Sequence, residues 1–298
     1  MHELDYAHFH PASEREAEFL RDTIWKADNV ELTTVGVDIG SSTSHLLFAR
    51  VHLQRLSEAL SSRFVVVGRD VLWRSPILLT PYRPDYTIDA EVLRAFVTDG
   101  YNTANLTPND IDSGAVILTG EALKRTNARA IADLFAEESG KFVCASAGHN
   151  LEAVMAAHGS GAVKLSKTEN KTFLNVDIGG GTTKFSLISG GEVRQMVAVE
   201  VGARLIAYDD DMTITRIEQP AHTIMKDLGH TIAVGGKLTE TMRQEFADKE
   251  TDILFDVMSG GDLLPLTQSL LLTNGLENHS IHNIDHLLYS GGVSEYVY

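Results

Sequence analysis

The chain has 298 residues, of which 43% are hydrophobic and 22% charged, with a formal net charge of −16. That balance excludes a disordered chain and a bundle of membrane helices, and the acidity, without clustered Lys and Arg, argues against nucleic-acid binding. The length accommodates two domains, each with its own core. No apolar run approaches the roughly 18 residues that span a bilayer. Met1 to Leu32 lacks the apolar core of a secretory signal, so a cytoplasmic location is expected. Cys144 is the sole cysteine, which excludes an intrachain disulfide and reads as a small buried hydrophobe.

In chain order, Ser13 to Ala27 has helical spacing with Ser13 as a cap, so 1–32 is expected to be a helical extension. Strands are expected at Thr34 to Ile39, His45 to Leu53 and Phe64 to Leu72. A helix at Asp89 to Tyr101 carries Val92, Leu93, Phe96 and Val97 on one face. Then come a strand at Ala115 to Thr119, a helix at Glu121 to Glu138, a strand at Lys141 to Ala145 and a helix from His149 to His158. Gly159-Ser160-Gly161 breaks the order. Three strands follow again, Phe173 to Ile178, Lys184 to Ile188 and Glu192 to Val201, with Gly190-Gly191 as a tight hairpin connection. Helices are expected around Ala221 to Leu228 and Lys237 to Met258. Leu263 to Leu276 reads equally as helix or strand, and a last strand spans Asp285 to Tyr289. The fold class is α/β, in two units at 33–161 and 162–298, each a mixed sheet flanked by helices.

The units share a repeat. Val37-Asp38-Ile39-Gly40-Ser41-Ser42-Thr43-Ser44 and Val176-Asp177-Ile178-Gly179-Gly180-Gly181-Thr182-Thr183 match in Val, Asp, Ile, Gly and Thr at equal offsets, which implies duplication. Glycine brings backbone N–H groups close to an anion. Ser41, Ser42, Thr43, Thr182 and Thr183 add hydroxyls. An Asp two residues before the first Gly would repel a bare phosphate; Asp38 and Asp177 make sense as carboxylates that hold Mg²⁺ directly or through water. Each loop joins strand to strand, unlike a dinucleotide fingerprint or a P-loop, which launch helices. Ser290-Gly291-Gly292-Val293-Ser294-Glu295, after an apolar run, lets a nucleoside lie against bare backbone, with Gly291, Gly292 and Glu295 as contacts.

These three motifs resemble the actin, Hsp70 and sugar-kinase ATPase superfamily, with phosphate loops at Asp38 to Ser44 and Asp177 to Thr183 and an adenosine loop at Ser290 to Glu295. The resemblance implies two ribonuclease H-like (actin-like ATPase) domains around an interdomain nucleotide cleft that takes ATP and Mg²⁺. Thr34 to Thr43, Ile117-Leu118-Thr119-Gly120-Glu121-Ala122, Ser146 to Glu152 and Gly291 to Tyr296 resemble the family of ethanolamine ammonia-lyase reactivating proteins. That likeness implies an ATP-dependent chaperone and slow ATPase, with ethanolamine ammonia-lyase as its client. It would release damaged cobalamin so that intact adenosylcobalamin can rebind. The client would hold the corrinoid, so the absence of a DxHxxG stretch is expected. The resemblance also implies a further C-terminal portion of the second domain. A homodimer and association with a bacterial microcompartment are options it leaves open.

Glu121 reads either as a catalytic, water-orienting carboxylate or as a helix-dipole partner. His149 reads as a general base or as a helix-capping, hinge-packing residue. Lys184, matched in the repeat by His45, either reaches a phosphate or lies on a solvated strand end. Asp209-Asp210-Asp211 is expected to be an acidic surface turn, and His8 and His10 lack the spaced partners of a zinc site. A small-molecule kinase for a sugar or carboxylate and an actin-type scaffold are the rival functions.

Overall fold

The computed structural model describes residues 25, 27–40, 43–55, 63–83, 87–119, 127, 131, 142–276 and 284–297. Nearly all of the helix expected at Ser13 to Ala27, with His8, His10, Ser41, Ser42, Glu121, nearly all of the helix expected at Glu121 to Glu138, and the Cys144 side chain, lies outside the described residues.

The first sheet is built from β1 (Asn29–Ile39), β2 (Thr43–Arg55), β3 (Phe64–Arg74), the short β4 (Leu78–Leu79), β5 (Ser113–Thr119) and β6 (Phe142–Ala147). Its order is β3-β2-β1-β5-β6, with β4 beside β2. The β1–β2 and β2–β3 pairs are antiparallel, and the β1–β5 and β5–β6 pairs parallel. β1 begins at Asn29 rather than Thr34. Apolar alternation along β1 buries Val35, Val37 and Ile39 in one core with Leu46, Phe48, Val116 and Leu118, as a half-buried strand requires. The helix α1 (Ala90–Ala104) covers that core; Asp89 caps it by accepting from the Glu91 and Val92 backbone N–H groups. Leu93 is buried there, but Val92 points to solvent, so the apolar face is narrower than the sequence pattern implies.

Next come α2 (His149–Gly159) and α3 (Ala162–Glu169), the latter absent from the sequence expectation. The second sheet contains β7 (Phe173–Ile178), β8 (Thr183–Ser189), β9 (Glu192–Val199) and β12 (His286–Ser290), in the order β12-β7-β8-β9. β7–β8 and β8–β9 are antiparallel, and β7–β12 is parallel. This repeats the β3-β2-β1-β5 arrangement, and both sheets have the ribonuclease H-like order. Gly190 and Gly191 both have positive φ in the β8–β9 hairpin, as a type I′ turn demands.

Between β9 and β12 lie a ribbon, β10 (Ile206–Tyr208) and β11 (Ile214–Ile217), and three helices, α4 (Gln219–Asp227), α5 (Glu240–Ser259) and α6 (Pro265–Leu270). Leu271, just past α6, bridges Val199, so the ambiguous segment contains both a helix and a strand-like contact. Leu174, Val176, Phe185, Leu187, Val197 and Val199 form the main core with α4 and α5. On the opposite face Phe173 and Ile188 pack with Ala157 of α2 and Ala162 of α3. The second sheet is therefore covered on both sides, which explains why all but the last residue of β8 is buried. Among the described residues no helix is long and apolar enough to cross a membrane.

Candidate functional site

The duplicated loops match in hydrogen bonding as well as in sequence. Gly40 N donates to Thr43 O at 2.9 Å, and Gly179 N donates to Thr182 O at 3.0 Å. In the strand pairs that follow, Asp38 stands opposite His45 and Asp177 opposite Lys184. Each aspartate therefore ends a central strand at the mouth of a tight turn, with its parallel neighbour on the other side: Ile117 for Asp38 and Ser290 for Asp177.

The two turns belong to one electrostatic site. Crowding by protein pushes the Asp38 carboxyl up to about 6, with Glu152 and Asp177 adding to the shift and Lys184 opposing it. Asp38 itself stays open to solvent, so it sits on the floor of a wet cleft rather than in a sealed core. Glu152, from the first turn of α2, is pushed up by burial; Lys184 lowers it and Asp177 raises it again. Three carboxylates thus repel one another around one ammonium, the arrangement expected where a cation or a proton is to be taken up.

Lys184 is buried, at 4% exposure, and donates to Glu152 Oε1. That corrects the reading of this residue as a solvated strand end: β8 carries it on the face covered by α2, where Ser186 Oγ also donates to Ala153 O at 3.1 Å. The second oxygen, Glu152 Oε2, is buried without a hydrogen-bond partner among the described residues, a costly state for a carboxylate.

Asp177 accepts from Ser290 Oγ at 2.8 Å, and Asn175 Nδ2 donates to the same hydroxyl at 3.1 Å. This chain of hydrogen bonds fixes the Asp177 rotamer from the parallel strand β12. Gly291 then turns away with φ 83°, and a Cβ there would collide with the Ile178 backbone, so only glycine fits. Gly292 to Tyr296 form a 3₁₀ turn in which Glu295 is exposed. An open cavity of about 480 Å³ runs along this edge, lined by Asp177, Tyr289, Ser290, Gly291 and Ser294 and by Ala156 and Ser160 of the α2–α3 corner.

Of the loop hydroxyls, Thr183 Oγ1 donates to Val201 O at 2.8 Å, and Thr43 Oγ1 lies 3.3 Å from His45 Nε2. Thr182 is buried. His149 opens α2, half-buried, behind Gly148 as the cap. The first loop is braced by Thr80, whose hydroxyl donates to Gly40 O at 2.7 Å and lies 3.0 Å from Ser44 Oγ. Arg216 of β11 donates to Thr80 O at 3.1 Å and to Glu218 Oε1 at 2.7 Å. Its guanidinium lies 5.4 Å from the centre of the Tyr82 ring, within cation–π range. The ribbon thus ties the second sheet's half to the first loop. Asp209 to Asp211 form the expected acidic turn, with Asp211 paired to Lys237 at 2.8 Å.

Two curated relatives are each named ethanolamine ammonia-lyase reactivase EutA. The one from Salmonella typhimurium is 34% identical over 266 residues, and the one from Escherichia coli 32%. Each match covers 89% of this chain and 56% of the relative, so the chain spans about half the length of the curated relatives it matches. Among solved structures, the Aquifex aeolicus Ppx/GppA phosphatase aligns with a TM-score of 0.43 at 13% identity, over 78% of this chain and 65% of that one. MreB 5 of Spiroplasma citri, bound to AMPPNP, aligns at 0.35 and 16%, over 85% and 73%. The family described as Ethanolamine utilisation protein EutA matches residues 30–298, the stretch that holds both sheets, both aspartate turns and the Gly291 corner, and the chain belongs to that family.

Proposed function

We propose that the chain binds Mg²⁺-ATP between its two aspartate turns and uses the nucleotide cycle to reactivate ethanolamine ammonia-lyase. In this reading 33–161 and 162–298 are the two halves of one slow ATPase. The observation that supports it is the matching pair of turns: Asp38 and Asp177 hold equivalent places in two like sheets, opposite His45 and Lys184 and beside the same N-to-O turn hydrogen bond. A shared Mg²⁺-polyphosphate would relieve repulsion between the two carboxylates, because the cation's charge cancels what they impose on each other.

The residues fit such a ligand. The N–H groups of Gly180 and Gly181 have no partner among the described residues, which leaves a backbone cradle open to phosphate oxygens. Among the described residues no three acidic or histidine side chains converge closely enough to cage a metal by themselves. Asp38 and Asp177 would hold a Mg²⁺ ion through carboxylate oxygens, the hard donors it prefers. The ion would supply charge neutralisation of the polyphosphate. Gly291 and Gly292 would face the nucleoside, and Glu121 and His149 are the candidate water-orienting groups.

The names of the relatives support ethanolamine ammonia-lyase as the client. Nucleotide exchange in the cleft would change the angle between the halves and so the affinity for a lyase whose cobalamin has lost its adenosyl group. The test is reactivation. Ethanolamine ammonia-lyase inactivated with a cobalamin lacking the adenosyl group is mixed with this chain, Mg²⁺, ATP and free adenosylcobalamin. Lyase activity returning only with ATP and the chain together supports the proposal. Phosphorylation of a small metabolite, or ATP-driven sedimentation without reactivation, would move the assignment to a kinase or a scaffold.

A further inference from the structure

One charged side chain beside the second turn forms no ion pair among the described residues. Arg204 follows β9 in the turn Val201-Gly202-Ala203-Arg204. That turn is stitched onto the second loop: Ala203 N donates to Gly179 O at 3.1 Å, and Arg204 N donates to Gly180 O at 2.7 Å. Gly202 packs so tightly against the loop that a Cβ there would lie 2.7 Å from Gly180 C and 2.8 Å from Gly179 O. The backbone of Arg204 therefore moves with the loop whose Gly180 and Gly181 N–H groups lack a partner.

The guanidinium is exposed and, among the described residues, forms no ion pair or hydrogen bond. In a chain of net charge −16, this guanidinium beside the second carboxylate-bearing turn is a positive group left available to an anion.

We infer that Arg204 is the cation that selects the terminal phosphates of a nucleoside polyphosphate, reaching them from the turn stitched onto the second loop. This rests on the nucleotide-site reading and deepens it by assigning a residue to ligand discrimination. A guanidinium is well suited to that role, because its planar donors match phosphate oxygens two at a time and it stays charged at any working pH. The glycine loop's N–H groups would hold a phosphate by dipole, with little preference for how many more follow. A full charge beyond them would separate ATP and ADP from AMP.

The experiment is calorimetric titration of the chain with ATP, ADP and AMP, each with Mg²⁺, for wild type, Arg204→Ala and Arg204→Lys. Losing a charge-assisted hydrogen bond should weaken ATP roughly ten- to a hundredfold, while AMP changes by less than about twofold and lysine recovers part of the loss. The ratio of ATP to AMP affinity is the deciding quantity, since a structural role for the turn would move both together. Equal losses for ATP and AMP, or no loss for either, overturn the assignment of Arg204 and leave the nucleotide site standing. Wild-type chain that binds none of the three nucleotides overturns both. If Arg204→Ala fails to fold, the Arg204→Lys ratio decides alone: a drop in ATP preference supports the inference and an unchanged ratio opposes it.

Discussion

Lys184 and Glu152 form an ion pair across the face of β8, with the two side chains at 4% and 16% exposure, and the pair uses only one of the two carboxylate oxygens. Removing one partner of a buried pair strands the other charge, at a cost of about 3–5 kcal/mol. Lys184→Met should therefore lower the unfolding midpoint sharply, whereas Glu152→Gln, which keeps the shape and a hydrogen-bonding oxygen, should cost less. Chemical denaturation of the two variants side by side checks the order. Equal, small losses would mean that the pair is solvated and not part of the core.

The Asp38 carboxyl, pushed up to about 6, gives a pH signature. Its folded value lies above its unfolded one, so its contribution to stability is complete below the ordinary carboxylate range and is lost as pH rises through about 6. At neutral pH the ionised group works against the fold until a cation joins it. Asp38→Asn should then raise the thermal midpoint of the ligand-free chain at pH 7.5 and leave it nearly unchanged at pH 4. In wild type the stabilisation by Mg²⁺-ATP should be larger at pH 7.5 than at pH 5, since protons compete with the metal. Thermal scans at three pH values measure both.

Glu250 of α5 carries a second buried carboxyl, pushed up to about 8 by burial, with the Gly202 backbone hydrogen bond opposing. Its Oε1 has no hydrogen-bond partner among the described residues. The sign is again that of a raised group: stability is lost as pH climbs through about 8. Glu250→Gln removes that loss while keeping the contact beneath the second loop, so the variant should exceed wild type in stability at pH 9 by on the order of 1–3 kcal/mol, with a smaller difference at pH 6. Denaturant midpoints at the two pH values provide the measurement.

Gly291 has φ 83° and no room for a Cβ against the Ile178 backbone. Gly291→Ala should cost at least about 1–3 kcal/mol. It should also disturb the Ser290–Asp177 hydrogen bond beside it, so nucleotide affinity should fall further than stability alone accounts for. A titration at a temperature where the variant is fully folded separates the two effects.

Both sheets were legible from the chain because each opens with long apolar strands around a glycine turn, and duplication made the second reading a check on the first. The ribbon of β10 and β11 was not, since strands of three and four residues flanking Asp209 to Asp211 leave only the turn visible. Leu263 to Leu276 defied a single assignment because it changes state at Leu271. Within the site, Asp38 and Asp177 came from the motif itself, whereas the burial of Lys184 did not, because its partner arrives from α2 through tertiary packing. Arg204 and Glu250 were missed for the same reason. The faint local signal was Gly202 at the end of β9, a glycine where close backbone approach replaces a side chain.

In the proposed function Asp38 and Asp177 hold one Mg²⁺-polyphosphate between them. Calorimetric titration with ATP, with and without Mg²⁺, of wild type, Asp38→Asn and Asp177→Asn tests it most directly. One Mg²⁺-dependent site per chain is expected, weakened at least tenfold by either substitution, with both variants still folded. Binding that is indifferent to Mg²⁺, or unchanged in both variants, would contradict it.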